Sequence, residues 1–215
     1  LQAAKTHGLI STLPKSFSPS RAGLGAWIVT IFSPSIDILK RMKKPTTPPL
    51  QLSLQWGDRI ETAAHRASVT RTLVSRTLKR TLQQGLASLQ QQTPPPVLPS
   101  QCEITVRIVG EAVGRSLNLQ YRQRDYATNV LTFDYDFAPV LLADIVLCAP
   151  VVARQAQEEG KTIGAHYVHL IVHGMLHALG FDHERSRAEA QQMEALEVAV
   201  LRDLGLDNPY EAHPA

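Results

Sequence analysis

The sequence predicts an α+β fold: a single domain with a mixed sheet of about four strands, about five helices, and a buried central helix that carries the functional histidines. Three observations lead there. Four short segments have the patterning of strands and five longer ones that of helices. The two kinds do not alternate regularly, as they would in a doubly wound parallel fold. The 215 residues suffice for one ordinary domain with extra segments, and at 44% hydrophobic and 19% charged the chain can bury a core.

Taken in chain order, residues 1–49 stand apart, rich in Ser and Pro with seven basic residues and one acid, Asp37. They are expected to form an extension outside the fold. It reads either as a transit-like segment or as sequence upstream of a start at Met42, and the scarcity of arginine favours the second. The domain is expected over 50–210, with a tail at 211–215. Leu50, Leu52, Leu54 and Trp56 alternate with polar residues, the period of a strand with one buried face. A helix is expected over about Ala64–Gln91, with an apolar stripe through Val74, Leu78, Leu82, Leu86 and Leu89. Four of its five cations, Arg66, Arg76, Lys79 and Arg80, would share an arc of roughly 140° on a regular helix. Thr93–Ser100, with four prolines, is a loop.

Ile104, Val106 and Ile108 mark a second strand, Glu111–Leu119 a short helix, and Tyr121–Asn129 a polar loop. Val130–Tyr135 and Asp144–Cys148 read as two further strands, the latter nearly all apolar and therefore central. Ala149–Glu159 is a helix. Thr162 can cap the next one, which is apolar almost all round through Ile163, Val168, Ile171, Leu176 and Leu179, and Gly180 ends it. Such a helix must be buried. Ser186 with Glu189 forms a capping box that opens a last helix running to Gly205.

Charge and cysteine content narrow the function. The net charge of +3 divides unevenly: residues 50–215 hold 15 basic and 18 acidic residues. A nucleic-acid function therefore needs a local basic patch, not bulk charge. Cys102 and Cys148 supply neither a disulfide framework nor a thiolate zinc site, which fits a reducing compartment. The longest largely apolar run near the start, Ala26–Phe32, is seven residues with Thr30 inside it, far short of the ~20 of a membrane helix.

The chemistry concentrates in His173, His177, Gly180 and His183. Histidines four apart leave one face of a helix a turn apart, and Gly180 can turn the chain back so that His183 reaches the same point. Three neutral imidazoles suit one Zn2+ ion and leave its fourth position open, as in catalytic zinc sites. His166 and His169 share the face but sit too far back to join the ion, given ~1.5 Å of rise per residue. They are expected near the ligands or the substrate groove, or in ordinary packing. The spacing is also that of metzincin peptidases, whose helix carries a Glu general base after the first His. Here that position is Gly174, and loss of the base typically costs ~10²–10⁴-fold. A zinc metallopeptidase is therefore the second reading.

The stretch His173–His183 resembles the signature of the YbeY family of bacterial endoribonucleases. Tyr121-Arg122-Gln-Arg-Asp125-Tyr-Ala-Thr128-Asn129-Val-Leu-Thr-Phe133 is similar to that family's Tyr-Arg-x-x-Asp-x-Pro-Thr-Asn-Val-Leu-Ser-Phe block, and Asp144-Ile-Val-Leu-Cys148 to its Gly-Asp-Ile-Val strand. Met193-x-x-Leu-Glu197 and Asp207-Asn-Pro-Tyr210 resemble its C-terminal end. Ala127, Asp134, Ala143 and Phe181 depart from the pattern without removing a ligand.

The resemblance covers about residues 50–210. It implies a single-strand-specific, metal-dependent endoribonuclease of 16S ribosomal RNA 3′-end maturation and ribosome quality control, in the bacterial cytoplasm, or in a plastid if residues 1–49 are a transit segment. It implies His173, His177 and His183 as metal ligands, with Arg122, His173 and His177 as catalytic residues. Zinc would activate water or act as a Lewis acid while Arg122 holds the phosphate. The bland alternative for Arg122 is a salt bridge, for instance with Asp125. Asp182 would orient a ligand or cap the turn before Ser186. Implied partners are ribosomal RNA, the small ribosomal subunit with one of its proteins, and an Era-type GTPase, with no membrane. Asp144 would dock that ribosomal protein or make a strand-edge hydrogen bond. A third reading is an assembly factor that binds with little catalysis.

Overall fold

The computed structural model describes residues 47–57 and 59–211. The expected extension up to position 46 and the expected tail beyond 211 lie outside the described residues. The chain forms strand β1 (Leu50–Trp56), two short helical turns over residues 59–65, and helix α1 (Arg71–Leu89). It continues through β2 (Gln101–Val109), α2 (Glu111–Arg122), β3 (Val130–Asp136) and β4 (Val140–Cys148). Helices α3 (Ala149–Glu158), α4 (Ile163–Ala178) and α5 (Arg187–Asp203) complete it. This is the expected α+β domain, with four strands and five helices of more than two turns among the described residues.

The sheet order is β1-β2-β4-β3. β1, β2 and β4 run parallel, and β3 pairs antiparallel with β4, so the sheet is mixed. β4 is central, as its apolar run demands, because both of its edges are paired and Leu141, Ile145 and Leu147 are fully buried. It begins four residues earlier than expected, since the Cys102–Leu141 and Ile104–Ala143 pairs extend the ladder through Val140. β3 is an outer strand, and its residues 130–134 line the functional site.

Helix α4 packs into the middle of the molecule. Tyr167, Ile171, Val172, Met175 and Leu176 are fully buried in one cluster with Leu78 and Leu82 of α1 and Ile145 of β4. Each such aliphatic side chain stabilises the fold by about 1.5–3 kcal/mol. Thr162 caps α4 as expected, its hydroxyl accepting from the Ala165 amide. Gly180, at φ +87°, takes the left-handed turn that redirects the chain. The Ser186 cap of α5 is also present, accepting from the Glu189 amide.

Two helices also depart from expectation. Helix α1 starts at Arg71, not near Ala64, because the Thr70 side chain accepts from the Leu73 amide and fixes the start there. Arg66 consequently lies outside the helix, its guanidinium 4.7 Å over the Trp56 ring, and leaves the cationic arc. Helix α2 runs to Arg122, not Leu119, and ends where Gln123 adopts a left-handed conformation at φ 58°. Tyr121 and Arg122 thus sit on the last helical turn and not in a flexible loop, which fixes their direction.

Candidate metal centre

The C-terminal half of α4 presents His173 and His177 one turn apart, and the turn at Gly180 returns His183 to meet them. One ring nitrogen from each of the three lies within 4.8 Å of the others, and the ring centroids are 4.7, 5.2 and 5.1 Å apart. The Nε2 atoms of His173 and His177 are 3.2 Å apart. Two nitrogens bound to one tetrahedral zinc at ~2.0–2.1 Å must lie ~3.3 Å from each other, so the pair already has the separation a shared ion requires.

The protonation states fit as well. Burial, reinforced by the neighbouring His173 and His183, pushes the His177 imidazolium down to about 4, so its ring is neutral near pH 7 and has a lone pair to give. His173 is set by a residue whose role the sequence did not disclose. Glu197 of α5, with no solvent exposure, places Oε1 2.6 Å from His173 Nδ1. Burial alone would raise this carboxyl, but the nearby His169 ring and the hydrogen bonds from His173 and Tyr210 outweigh it and hold it at about 2. The carboxylate therefore accepts a hydrogen bond from the Nδ1–H and leaves Nε2 free to face a metal. Tyr210, beyond α5, donates its hydroxyl to the other Glu197 oxygen. The signal was a glutamate at an otherwise inward position of α5, but its partner is 24 residues away and no local pattern pairs them.

Removing the charge should therefore weaken the site without dismantling it. Glu197→Gln is expected to lower metal affinity ~10–100-fold, read by competition with a chelator. Unchanged affinity would contradict the orienting role.

His169 brings Nε2 to 3.7 Å from Glu197, behind the ligands. His166 is buried and held by Gln155, whose side-chain oxygen is 3.2 Å from its Nε2, on the side of α3. Gln155 also accepts from Asn129 at 3.0 Å, so His166 braces the segment leading into β3 and does not line the groove. Arg122 does not pair with Asp125, whose carboxylate is taken by Arg115 through two 2.7 Å bonds. Its own partner is Glu184, next to His183, at 3.5 Å. With both side chains more than half exposed, that pair holds Arg122 only weakly. Asp182 caps its turn, accepting from the Glu184 amide at 2.8 Å and pairing with Arg185 at 2.9 Å. Asp144 stands on the sheet, accepting at 3.2 Å from the Tyr135 hydroxyl, away from the histidines.

A cleft of about 490 Å³ opens over the three imidazoles. Its floor is the histidine face of α4, one wall is β3, and Tyr121 and Arg122 stand at the end of α2. Tyr121 is 59% exposed and meets Phe133 edge-on at 4.8 Å.

Gly174 shows why a glutamate is missing from α4. A Cβ there would come within 2.9 Å of Thr132 Oγ1 and 3.0 Å of Ile145 Cγ2. The helix lies so close on β3 and β4 that this position points into the sheet, not the cleft. Gly174→Glu is expected to cost ~3 kcal/mol or more through overpacking and a buried carboxylate, measured by denaturant unfolding, and to confer no peptidase activity. A stable, proteolytic variant would refute this account.

Comparison with known proteins bears on the whole domain. The family model described as Endoribonuclease YbeY matches residues 60–205. A protein named Endoribonuclease YbeY from Polaromonas naphthalenivorans (strain CJ2) is 52% identical over 161 residues, 75% of this chain and 96% of that protein. One of the same name from Methylibium petroleiphilum is 53% identical over 169 residues, covering 79% and 99%. A third, from Acidovorax sp. (strain JS42), is 50% identical over 163 residues, covering 76% and 97%.

Proposed function

The chain belongs to the YbeY endoribonuclease family, and from that premise we propose that it is a metal-dependent hydrolase cutting single-stranded RNA, in maturation of the 16S ribosomal RNA 3′ end and in ribosome quality control. The observation that carries the metal-dependent part is the convergence of His173, His177 and His183 beneath an open cleft. These three would hold one Zn2+ ion, and zinc in such a site supplies Lewis acidity and lowers the pKa of a bound water.

The chain's own residues do the rest. Arg122 is permanently charged and offers paired N–H donors in one plane, so it grips two oxygens of the scissile phosphate and stabilises charge developing there. Binding RNA requires it to exchange Glu184 for phosphate, a small cost for an exposed pair. Tyr121 offers an open aromatic surface beside Arg122 on which an unpaired base can stack, as single-strand recognition requires. Glu197 keeps the His173 proton on Nδ1 throughout.

Asp144, outside the cleft, is assigned to docking with a protein of the small ribosomal subunit, and an Era-type GTPase is the further partner. The bacterial cytoplasm is the assigned site of action. Among the described residues no helix is long and apolar enough to cross a membrane. The peptidase reading loses its general base to the packing at Gly174. The test offers ribosomal RNA and an unfolded protein substrate to the wild type and to His177→Ala, with zinc content measured. RNA cleavage in the wild type alone, without proteolysis, is expected. Proteolysis by the wild type, or undiminished RNA cleavage by a metal-free variant, overturns the proposal.

A further inference from the structure

A second and larger cleft, of about 1180 Å³, lies against β1 and the outer face of α1. The sheet order puts β1 and β3 at opposite edges, so this cleft and the metal centre are separated by three strand spacings of ~4.8 Å. Its lining is cationic: Arg71, Arg76, Lys79 and Arg80 recur along α1, with the hydroxyls of Thr72 and Ser75 between them. Arg71 donates at 2.6 Å to the Leu52 carbonyl on β1 and so fixes one wall. The single acid among the described residues lining the cleft, Asp203, already accepts from Gln84 at 2.6 Å and lies 3.7 Å from Arg80. Arg76 and Lys79 have no ion-pair partner among the described residues.

This concentration runs against the charge of the domain. Between Glu61 and Glu103 the sequence has no acidic residue and five arginines and lysines. The remainder of residues 50–215 then holds ten cations against eighteen acids. A solvated helix face needs no such segregation, whereas a polyanion-binding track in an otherwise repulsive domain does. Among the described residues the exposed large hydrophobic side chains, Val97, Val113, Leu119, Leu142 and four tyrosines, all lie outside this cleft, so its described lining has no apolar wedge of the kind a membrane-surface site uses. Its hydroxyl and amide groups between the cations suit a sugar–phosphate backbone.

We infer that the α1–β1 cleft is an RNA-backbone exosite, which holds a segment of the substrate remote from the bond cut at the opposite edge of the sheet. The inference rests on the endoribonuclease reading above. It makes affinity depend on RNA beyond the nucleotides in the metal cleft, without contact to the reacting atoms.

The test uses the full chain and the double variant Arg76→Ala/Lys79→Ala, neither residue being part of the catalytic cleft. Binding of a ribosomal RNA fragment is measured across a salt series, and kcat and KM are measured on the same fragment. Each phosphate contact on a single strand contributes ~0.7 to the slope of log K against log salt. The variant should lose about 1.4 of that slope and about tenfold in affinity near 0.15 M salt. KM should rise to match, with kcat and zinc content unchanged, and Arg76→Lys/Lys79→Arg should restore wild-type binding. An unchanged slope and affinity overturns the exosite, as does a variant that retains RNA binding but loses binding to anionic phospholipid vesicles or to an acidic peptide. Binding is read independently of cleavage. A wild type that binds RNA with the full slope yet cuts none would defeat the functional reading and leave the exosite standing.

Discussion

Replacing His177 by alanine is expected to reduce bound metal to well below a tenth of the wild-type content and RNA cleavage to background. The size follows from the site's composition. Only three protein donors converge, so losing one removes a third of the protein ligation, where loss of a second-layer partner such as Glu197 merely weakens it ~10–100-fold. His177 also stands closest to His173, with 3.2 Å between their Nε2 atoms, and no other carboxylate or imidazole completes the cluster among the described residues. The fold should survive, because the side chain is half-buried at the cleft and the packing of α4 rests on Tyr167, Ile171 and Met175. Metal content by emission spectrometry and far-ultraviolet circular dichroism separate the two effects. A folded variant holding a full complement of zinc would refute the three-histidine site.

Arg122→Ala is expected to leave zinc content and fold intact and to lower kcat on RNA ~10²–10³-fold, the usual consequence of removing one preorganised donor to developing charge. Its structural cost should be small, since the only ion pair lost among the described residues is the exposed one with Glu184. Arg122→Lys keeps a positive charge but not the planar pair of donors, and should recover only part of the loss. If charge alone mattered, lysine would restore full activity. Full activity of the alanine variant would remove Arg122 from the mechanism and leave it as a brace for the Glu184 turn.

These expectations draw on features of unequal visibility in the sequence. The i, i+4 spacing of His173 and His177 is local, and helical geometry alone puts both rings on one face. Gly180 marks the turn because only a residue without a Cβ takes φ +87° at little cost. Thr162 and the Ser186–Glu189 box likewise declare their helix starts through contacts three residues long. The start of α1 was misplaced because apolar and cationic residues continue the helical period backwards past Thr70, while the hydroxyl that stops the helix does so by a single bond. The end of α2 ran beyond expectation because the polar residues of its last turn look like loop when read without their neighbours.

The sequence alone therefore determined the fold class, the order of elements, the histidine trio and the family resemblance, all encoded in spacings of a few residues or in contiguous motifs. Tertiary structure alone decided which carboxylate orients His173, why position 174 must be glycine, that Arg122 faces Glu184 and not Asp125, and that the basic face of α1 opens at the sheet edge opposite the histidines. The reason is physical. Those outcomes depend on contacts between groups brought within a few ångströms by burial of the common apolar core, and no periodicity along the chain records which distant groups that burial brings together.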